Sequence, residues 1–147
     1  MSDVYQDRAS GKTYGSPREM VNEYLHRFGE SVRFTMPSLD DAGYAGIKRG
    51  SATIGVNVLE DQGVLLFLSR LCPIPAENRE ALYRRILEEN FLGTSDAAFA
   101  IDAHANTVCL RAMRRLSGLD YEEFEDLLGT MAALADRWDD ELRSKYP

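Results

Sequence analysis

Residues 51–70, SATIGVNVLEDQGVLLFLSR, carry two different hydrophobic patterns on either side of a turn. In the first half Ala52, Ile54, Val56 and Val58 share one face, while Ser51, Thr53, Gly55 and Asn57 share the other. That two-residue alternation is the mark of a half-buried strand. Glu60, Asp61, Gln62 and Gly63 supply a hairpin turn. The second half differs in kind: Val64, Leu66 and Leu68 line one side, and Leu65 and Phe67 line the other. A strand that is apolar on both faces belongs in the middle of a sheet with cover on each side. One cover is the chain's own helices. The other calls for a subunit partner, a bound polypeptide, a loop or another helix, because a small antiparallel sheet normally leaves one face wet.

Toward the C-terminus, Pro73 and Pro75 stop the sheet. A helix is expected from about Ala76, with Leu82, Tyr83, Ile86, Leu87 and Phe91 on its apolar stripe and Gly93 beyond its end. Ala98–Ile101 reads as a short strand, Asp102–Asn106 as a turn, and Thr107–Met113 as the partner strand. In that partner Val108, Leu110 and Ala112 face one way and Thr107, Cys109, Arg111 and Met113 the other. Residues 116–147 then form one long acidic amphipathic helix, with Phe124, Leu127, Leu128, Met131, Leu134, Ala135, Trp138 and Leu142 as its stripe. Asp120 is its N-cap, and Glu123 completes a capping-box-like pattern. The acids of the first turns complement the helix dipole. Asp136, Asp139, Asp140 and Glu141 do not, so their presence needs another reason. Gly129 costs about 1 kcal/mol relative to alanine in a helix interior, and is either a close-packing site or simply tolerated.

Toward the N-terminus, Ser16 and Pro17 open a helix as N-cap and first residue. Met20, Val21, Tyr24, Leu25 and Phe28 follow at helical spacing, and Gly29 is expected to close it. A first extended segment falls in part of Val32–Met36 or of Tyr44–Lys48, with a turn or loop at Asp40–Gly43. Residues 1–15 are polar without a sustained period and are expected to be a flexible tail ahead of a single domain at 16–147. The order is α-β-β-β-α-β-β-α: an α+β fold with an antiparallel sheet of about five strands and three helices.

The chain has 147 residues, enough for one domain with a real core, and 24 acidic against 17 basic residues give a net charge of −7. The imbalance is local, since residues 120–147 hold nine of the acids and only three of the bases. Such a surface repels phosphate backbones and argues against a nucleic-acid partner. It suits solubility, or capture of a basic or amphipathic polypeptide. The start of the chain lacks a basic-then-apolar signal pattern, and no apolar run approaches the roughly 20 residues that span a bilayer. A cytoplasmic location without membrane insertion is the expectation.

Few residues offer chemistry. Cys72 and Cys109 are the only cysteines; neither belongs to a CxxC pair, and buried reduced thiols are expected. His26 flanks the first helix's stripe. His104 sits with Asp102 in the DAHAN turn, where Asp and Asn favour turn formation over metal binding. The serines lack a nucleophile elbow and the glycines at 43, 46 and 50 form no phosphate loop. Arg111, Arg114 and Arg115, with Arg84 and Arg85, are the basic clusters, and no aromatics interleave with them as a nucleic-acid platform requires. No cofactor, no metal and no catalytic residue is expected, so an enzyme is the weaker class.

The phrases LLFLSRLCPIPAENREALYRRILEENFLG (65–93) and AAFAIDAHANTVCLRAMRRLSGLDYEEFEDLL (97–128) carry a resemblance. Asn90, Phe91 and Gly93 match a helix end, Ile101 and Asp102 a first hairpin strand, and Leu119 the approach to a last helix. Over Val64–Leu142 the chain resembles the class I type III secretion chaperones, the CesT-like group, and the related YbjN-like proteins. That resemblance implies a small cytoplasmic homodimer with a twisted antiparallel sheet and three helices. It also implies binding of an extended, non-globular segment of a secreted effector along apolar grooves. The polar stretches before residue 16 and from Ser38 to Arg49 depart from the group. Ile54, Val56, Leu65, Phe67 and Val108 are the expected partner-contact residues. A YbjN-like regulatory or accessory role without secretion is the alternative, followed by a small enzyme with an unrecognised site or a structural protein without a ligand.

Overall fold

Both patterns of residues 51–70 become neighbouring strands in a computed structural model that describes residues 5–147. The chain runs β1 (Tyr5–Gln6), β2 (Thr13–Tyr14), α1 (Pro17–Val32), β3 (Tyr44–Arg49), β4 (Ala52–Leu59), β5 (Val64–Pro73), α2 (Arg79–Leu92), β6 (Ala98–Asp102), β7 (Thr107–Arg115) and α3 (Tyr121–Lys145). Strands β3 to β7 form one antiparallel sheet in the order β3-β4-β5-β7-β6. β5 is therefore the central strand, as its two apolar faces require. Its ladder with β7 slips at Arg70–Cys72, where a bulge accommodates the extra Leu71. The α+β fold with five principal strands and three helices follows the sequence pattern; β1 and β2 add a separate two-stranded ribbon.

One face of the sheet is closed by helices. Ile54, Val56, Leu65, Phe67, Val108 and Leu110 point into the core, and α3 lies across β3, β4, β5 and β7 above them. Phe124 meets Phe67 and Tyr24 with ring centroids 5.6 Å apart, and Trp138 stands edge-on to Phe99 at 5.4 Å. Each such fully buried side chain contributes about 1.5–3 kcal/mol of apolar burial. α1 packs beside α3, tied by the Tyr24 hydroxyl donating to the Leu119 carbonyl at 2.8 Å. α2 rests on edge strand β6 and buries only Leu82 and Ile86.

Several local expectations change. α1 does not stop at Gly29 but continues to Val32, ending on a left-handed Arg33 with φ 57°. Gly29 is instead a contact point, because a Cβ there would lie 2.4 Å from the Phe34 carbonyl oxygen. The first principal strand is Tyr44–Arg49, while Val32–Met36 forms the helix end and a loop. α2 begins at Arg79 rather than near Ala76. The Asp136–Asp140 acids have a structural purpose: Asp139, buried, accepts the Ser51 hydroxyl, and Asp136 Oδ1 sits where a Cβ on Gly50 would fall, 2.3 Å away. They hold the β3–β4 turn against α3.

The largest correction concerns the expected flexible tail. Residues 1–4 of it lie outside the described residues, but 5–15 form the β1–β2 ribbon, packed on α1 and on the start of α3. Asp120 does not cap its own helix. Its Oδ1 accepts the Arg8 N–H at 2.7 Å, while the Tyr121 N–H of α3 donates to Asp7 Oδ1 at 3.3 Å. Asp7 thus caps α3 from 114 positions away in the chain, and Asp120 in return holds the backbone of the ribbon's turn. The composition of residues 5–15 is polar because most of its bonds are hydrogen bonds, so an apolar period was never going to mark it.

Candidate functional site

The face of the sheet opposite the helices has no cover from the described residues. Its strand register places Tyr44, Asn57, Leu66 and Met113 in one row across β3, β4, β5 and β7. The next row is Gly46, Gly55, Leu68, Arg111 and Ala98. Leu66 and Leu68 are half-buried and Met113 and Tyr44 exposed, so this is an apolar strip open to solvent. Lys48, Arg70, Arg111 and Arg115 surround it. The unexplained second face of β5 is this surface.

Facing glycines interrupt the strip. Gly46 and Gly55 are register partners, and the Tyr44 ring lies over both: an added Cβ would fall 2.9 Å from Tyr44 Oη at Gly46 and 2.8 Å from Cε2 at Gly55. Beside the ring opens a cavity of about 320 Å³ lined by Tyr44, Gly55, Asn57, Leu68, Arg70 and Arg143, among others. Arg143 projects from the last turn of α3.

Both edges of the sheet are partly occupied. On β6 the outward-facing backbone of Phe99 is taken up by Asn90 of α2, which accepts its N–H at 2.7 Å and donates to its carbonyl at 3.2 Å. That side-chain amide occupies part of an edge that would otherwise invite another strand. Strand β3 pairs only with β4; at its outer edge Asp40 takes up the Tyr44 backbone, donating its N–H to the Tyr44 carbonyl at 2.8 Å and accepting the Tyr44 N–H on Oδ1 at 3.0 Å, while among the described residues no strand pairs with the rest of that edge.

A third surface lies on α2. Leu87, Phe91 and Leu92 are 67%, 84% and 84% exposed, although the sequence stripe groups Leu87 and Phe91 with the buried Leu82 and Ile86. Only half of the stripe faces the sheet. At the end of α1, Val32 and Phe34 are also exposed.

The expected partner-contact residues do not form a surface. Ile54, Val56, Leu65, Phe67 and Val108 are all 0% exposed, beneath the helices. Their alternation identified the correct face as buried but not what buries it. The contact-capable residues are their neighbours of opposite parity on the same strands. A pair of in-register glycines flanked by aromatic and arginine side chains was the available signal, but register is a tertiary property.

The sparse chemical groups are accounted for locally. Asp102 Oδ1 accepts the N–H groups of His104 and Ala105 at 3.0 and 3.2 Å, and its Oδ2 meets Arg70 at 3.1 Å. Those turn bonds, opposed by slight desolvation and aided by Arg70, hold the Asp102 carboxyl below its usual range. His26 pairs with Glu30 at 3.0 Å on exposed helix surface. Cys72 and Cys109 are buried, Cys72 among the core residues and Cys109 beneath the open face; burial pushes the Cys72 thiol up. Among the described residues no group of three or more His, Cys, Asp and Glu side chains is placed to hold a metal ion, and no helix is long and apolar enough to cross a membrane.

This helix-backed sheet, open on its other face, is the architecture of a known class. The model of the Tir chaperone protein (CesT) family matches residues 23–139, and the chain belongs to that family. Solved structures with the same fold include the ExsC–ExsE complex, at 22% identity, a TM-score of 0.64, and coverage of 82% of this chain and 91% of that one. The heterodimeric ExoU–SpcU complex from the type III secretion system of Pseudomonas aeruginosa matches at 20% identity and a TM-score of 0.62, over 82% of this chain and 95% of the other. YbjN from E. coli aligns at 9% identity and a TM-score of 0.57, covering 84% and 91%. No curated protein matches the chain significantly by sequence. The family match begins at residue 23, so the β1–β2 ribbon lies outside it.

Proposed function

We propose that this protein is a cytoplasmic, non-catalytic chaperone that acts as a homodimer and holds an extended segment of a secreted effector. The observation that carries this reading is the sheet itself, closed on one side by helices and open on the other, with an edge at β3 that pairs with no further strand and is occupied only at Tyr44, by Asp40. An extended polypeptide gains main-chain hydrogen bonds by adding to such an edge, and its alternate side chains reach the apolar strip on the open face. Membership of the CesT family supports the reading. So does the fact that ExsC–ExsE and ExoU–SpcU are themselves complexes of two proteins.

The second copy is assigned to α2. Leu87, Phe91 and Leu92 are large apolar side chains that their own chain leaves bare, and a two-fold axis brings the same patch against itself. Such a contact is isologous and closes at two subunits.

Co-purification from the native organism followed by sizing of the complex tests the proposal. Recovery of a dimer of this chain with one polypeptide bound through a protease-sensitive, extended segment is the expected result. A monodisperse monomer that captures no polypeptide would overturn both the dimer and the chaperone.

A further inference from the structure

The glycine-floored trough on the open face carries an inference that deepens the chaperone reading and rests on it. Strand glycines are unfavourable unless something approaches the backbone closely. Here two occupy facing positions, Gly46 and Gly55, and the group that approaches them is the chain's own Tyr44 ring, which they let lie flat against the sheet. The Tyr44 ring shelters them, and the cavity of about 320 Å³ beside it is large enough for a side chain from another polypeptide. It is lined by Tyr44 and Leu68, by the polar Ser51, Thr53 and Asn57, and by Arg70 and Arg143.

The charge of its arginines is opposite to that of the protein. The net charge is −7, yet Lys48, Arg70, Arg111 and Arg115 project from the open face; the carboxylates at its borders are Asp102, bonded to Arg70, and Asp139 and Asp140, which accept the hydroxyl of the lining residue Ser51. Arg143 has no ion-pair partner among the described residues. A polar cavity with two arginines, beside the apolar strip of Leu66, Leu68 and Met113, selects neither a lipid tail nor a basic peptide. We propose that the trough seats an acidic residue within an otherwise apolar extended segment of the client. The client's carboxylate lies between Arg143 and Arg70, and its flanking apolar side chains rest on Leu68, Leu66 and Met113. Charge-assisted, fork-shaped contacts from arginine supply the selectivity.

Fluorescence anisotropy with labelled peptides tests this seat. The probes are a short peptide alternating leucine with glutamate and its counterparts carrying glutamine or lysine. The glutamate peptide should bind about tenfold more tightly than the glutamine one, as expected for hydrogen bonds to a charged acceptor, and the lysine peptide more weakly still. Its affinity should fall with added salt. The R70Q/R143Q variant should lose the glutamate preference while its melting temperature stays unchanged, because both side chains are exposed. Gly55→Thr, whose Cβ would lie 2.8 Å from Tyr44 Cε2 and so displaces that wall without removing charge, should weaken all three peptides. Equal binding of glutamate and lysine peptides, no binding of any, or an R70Q/R143Q variant that keeps the preference would each overturn the seat. So would dissociation of a dimer by R70Q/R143Q, which would make a second copy the occupant. If a native client co-purifies while the peptides show no charge preference, the seat alone falls. If no client is captured, the chaperone reading falls and takes the seat with it.

Discussion

Asp7→Asn removes one negative charge from a site almost sealed from water and leaves the side-chain volume nearly unchanged. Asp7 is 1% exposed. Its Oδ2 accepts the Ser10 hydroxyl at 2.7 Å and Arg27 Nη1 at 3.4 Å, and its Oδ1 accepts the Tyr121 N–H at 3.3 Å. Arg27 in turn lies over the Tyr121 ring, 3.9 Å from its centroid. An asparagine keeps an oxygen for Tyr121 but turns an NH₂ toward Arg27, which has no acceptor to offer. Hydrogen bonds to charged groups contribute about 1.5–3 kcal/mol. The Arg27 contact is long and partly exposed and deserves the smaller weight of a screened pair. The expected loss is about 2 kcal/mol in total, equivalent to a fall of roughly 4–8 °C in Tm for a chain of this size.

The pH dependence makes this prediction specific. Burial opposes ionisation of Asp7, but the bonds from Ser10, Tyr121 and Arg27 together outweigh it, so the folded-state pKa is lowered. A lowered carboxyl contributes stability that is fully present above the unfolded pKa, about 4, and is lost as pH falls through the folded value. The gap between wild type and Asp7→Asn should therefore be constant from neutral pH to about 5 and shrink below about 4. Urea unfolding followed by the emission of Trp138, the only tryptophan and fully buried, measures it. Ser10→Ala in a double-mutant cycle should show coupling above about 0.5 kcal/mol. No gap at pH 7, or a gap that persists undiminished to pH 3, would refute the assignment of Asp7 as an ionised clamp between the ribbon and α3.

Two helical glycines should respond to alanine with opposite signs in thermal melts. At Gly129 an added Cβ meets nothing within 4 Å, so Gly129→Ala should stabilise by about 1 kcal/mol. At Gly29 the same methyl meets the Phe34 carbonyl oxygen at 2.4 Å, so the helix-propensity gain is overridden and the variant should be less stable than wild type. Ser51→Ala leaves Oδ2 of the buried Asp139 without its partner, Oδ1 still accepting the Asp140 N–H, and should cost about 1–3 kcal/mol by urea unfolding. The pair Leu87→Asp and Phe91→Asp should leave the far-UV circular dichroism spectrum unchanged, since both side chains are exposed on the single chain, but convert the proposed dimer to monomer in sedimentation equilibrium and remove the concentration dependence of the melting temperature. Phe67→Asp, by contrast, places a charge in the core and should abolish the cooperative melt, so it reports folding and not binding.

What the sequence could reveal follows the range of each interaction. The β4–β5 hairpin, the central place of β5 and the stripe of α3 were legible because each is a period within one segment. The ribbon at 5–14 was illegible because its stability comes from Asp7 and Asp120, residues far apart in sequence that complete each other's backbone bonds. α2 shows a different limit. Its stripe of Leu82, Tyr83, Ile86, Leu87 and Phe91 is wider than the contact that edge strand β6 can provide, and periodicity alone cannot say that a stripe is shared between a core and an outside surface. The candidate trough needed register: Gly46 and Gly55 are unremarkable until β3 and β4 are aligned, and Arg143 joins them only after α3 crosses the sheet.

The charge distribution gains meaning from the same geometry. Read along the chain, the acids of residues 120–147 suggest an acidic capture surface for a basic polypeptide. In the fold, Asp139 and Asp136 are committed to the β3–β4 turn, Asp120 to Arg8, and Glu141 to Arg85 and Lys145. Those carboxylates are largely spent on internal contacts, and the helix that carries them covers the closed side of the sheet. The side that remains open presents arginines and a lysine around apolar residues. A basic client would meet repulsion where the backbone is accessible, and an acidic, apolar one would meet attraction. The arrangement therefore reverses the preference that net charge alone suggests, because a partner responds to the local field of the face it touches and, beyond a Debye length of about 8 Å, hardly senses the rest.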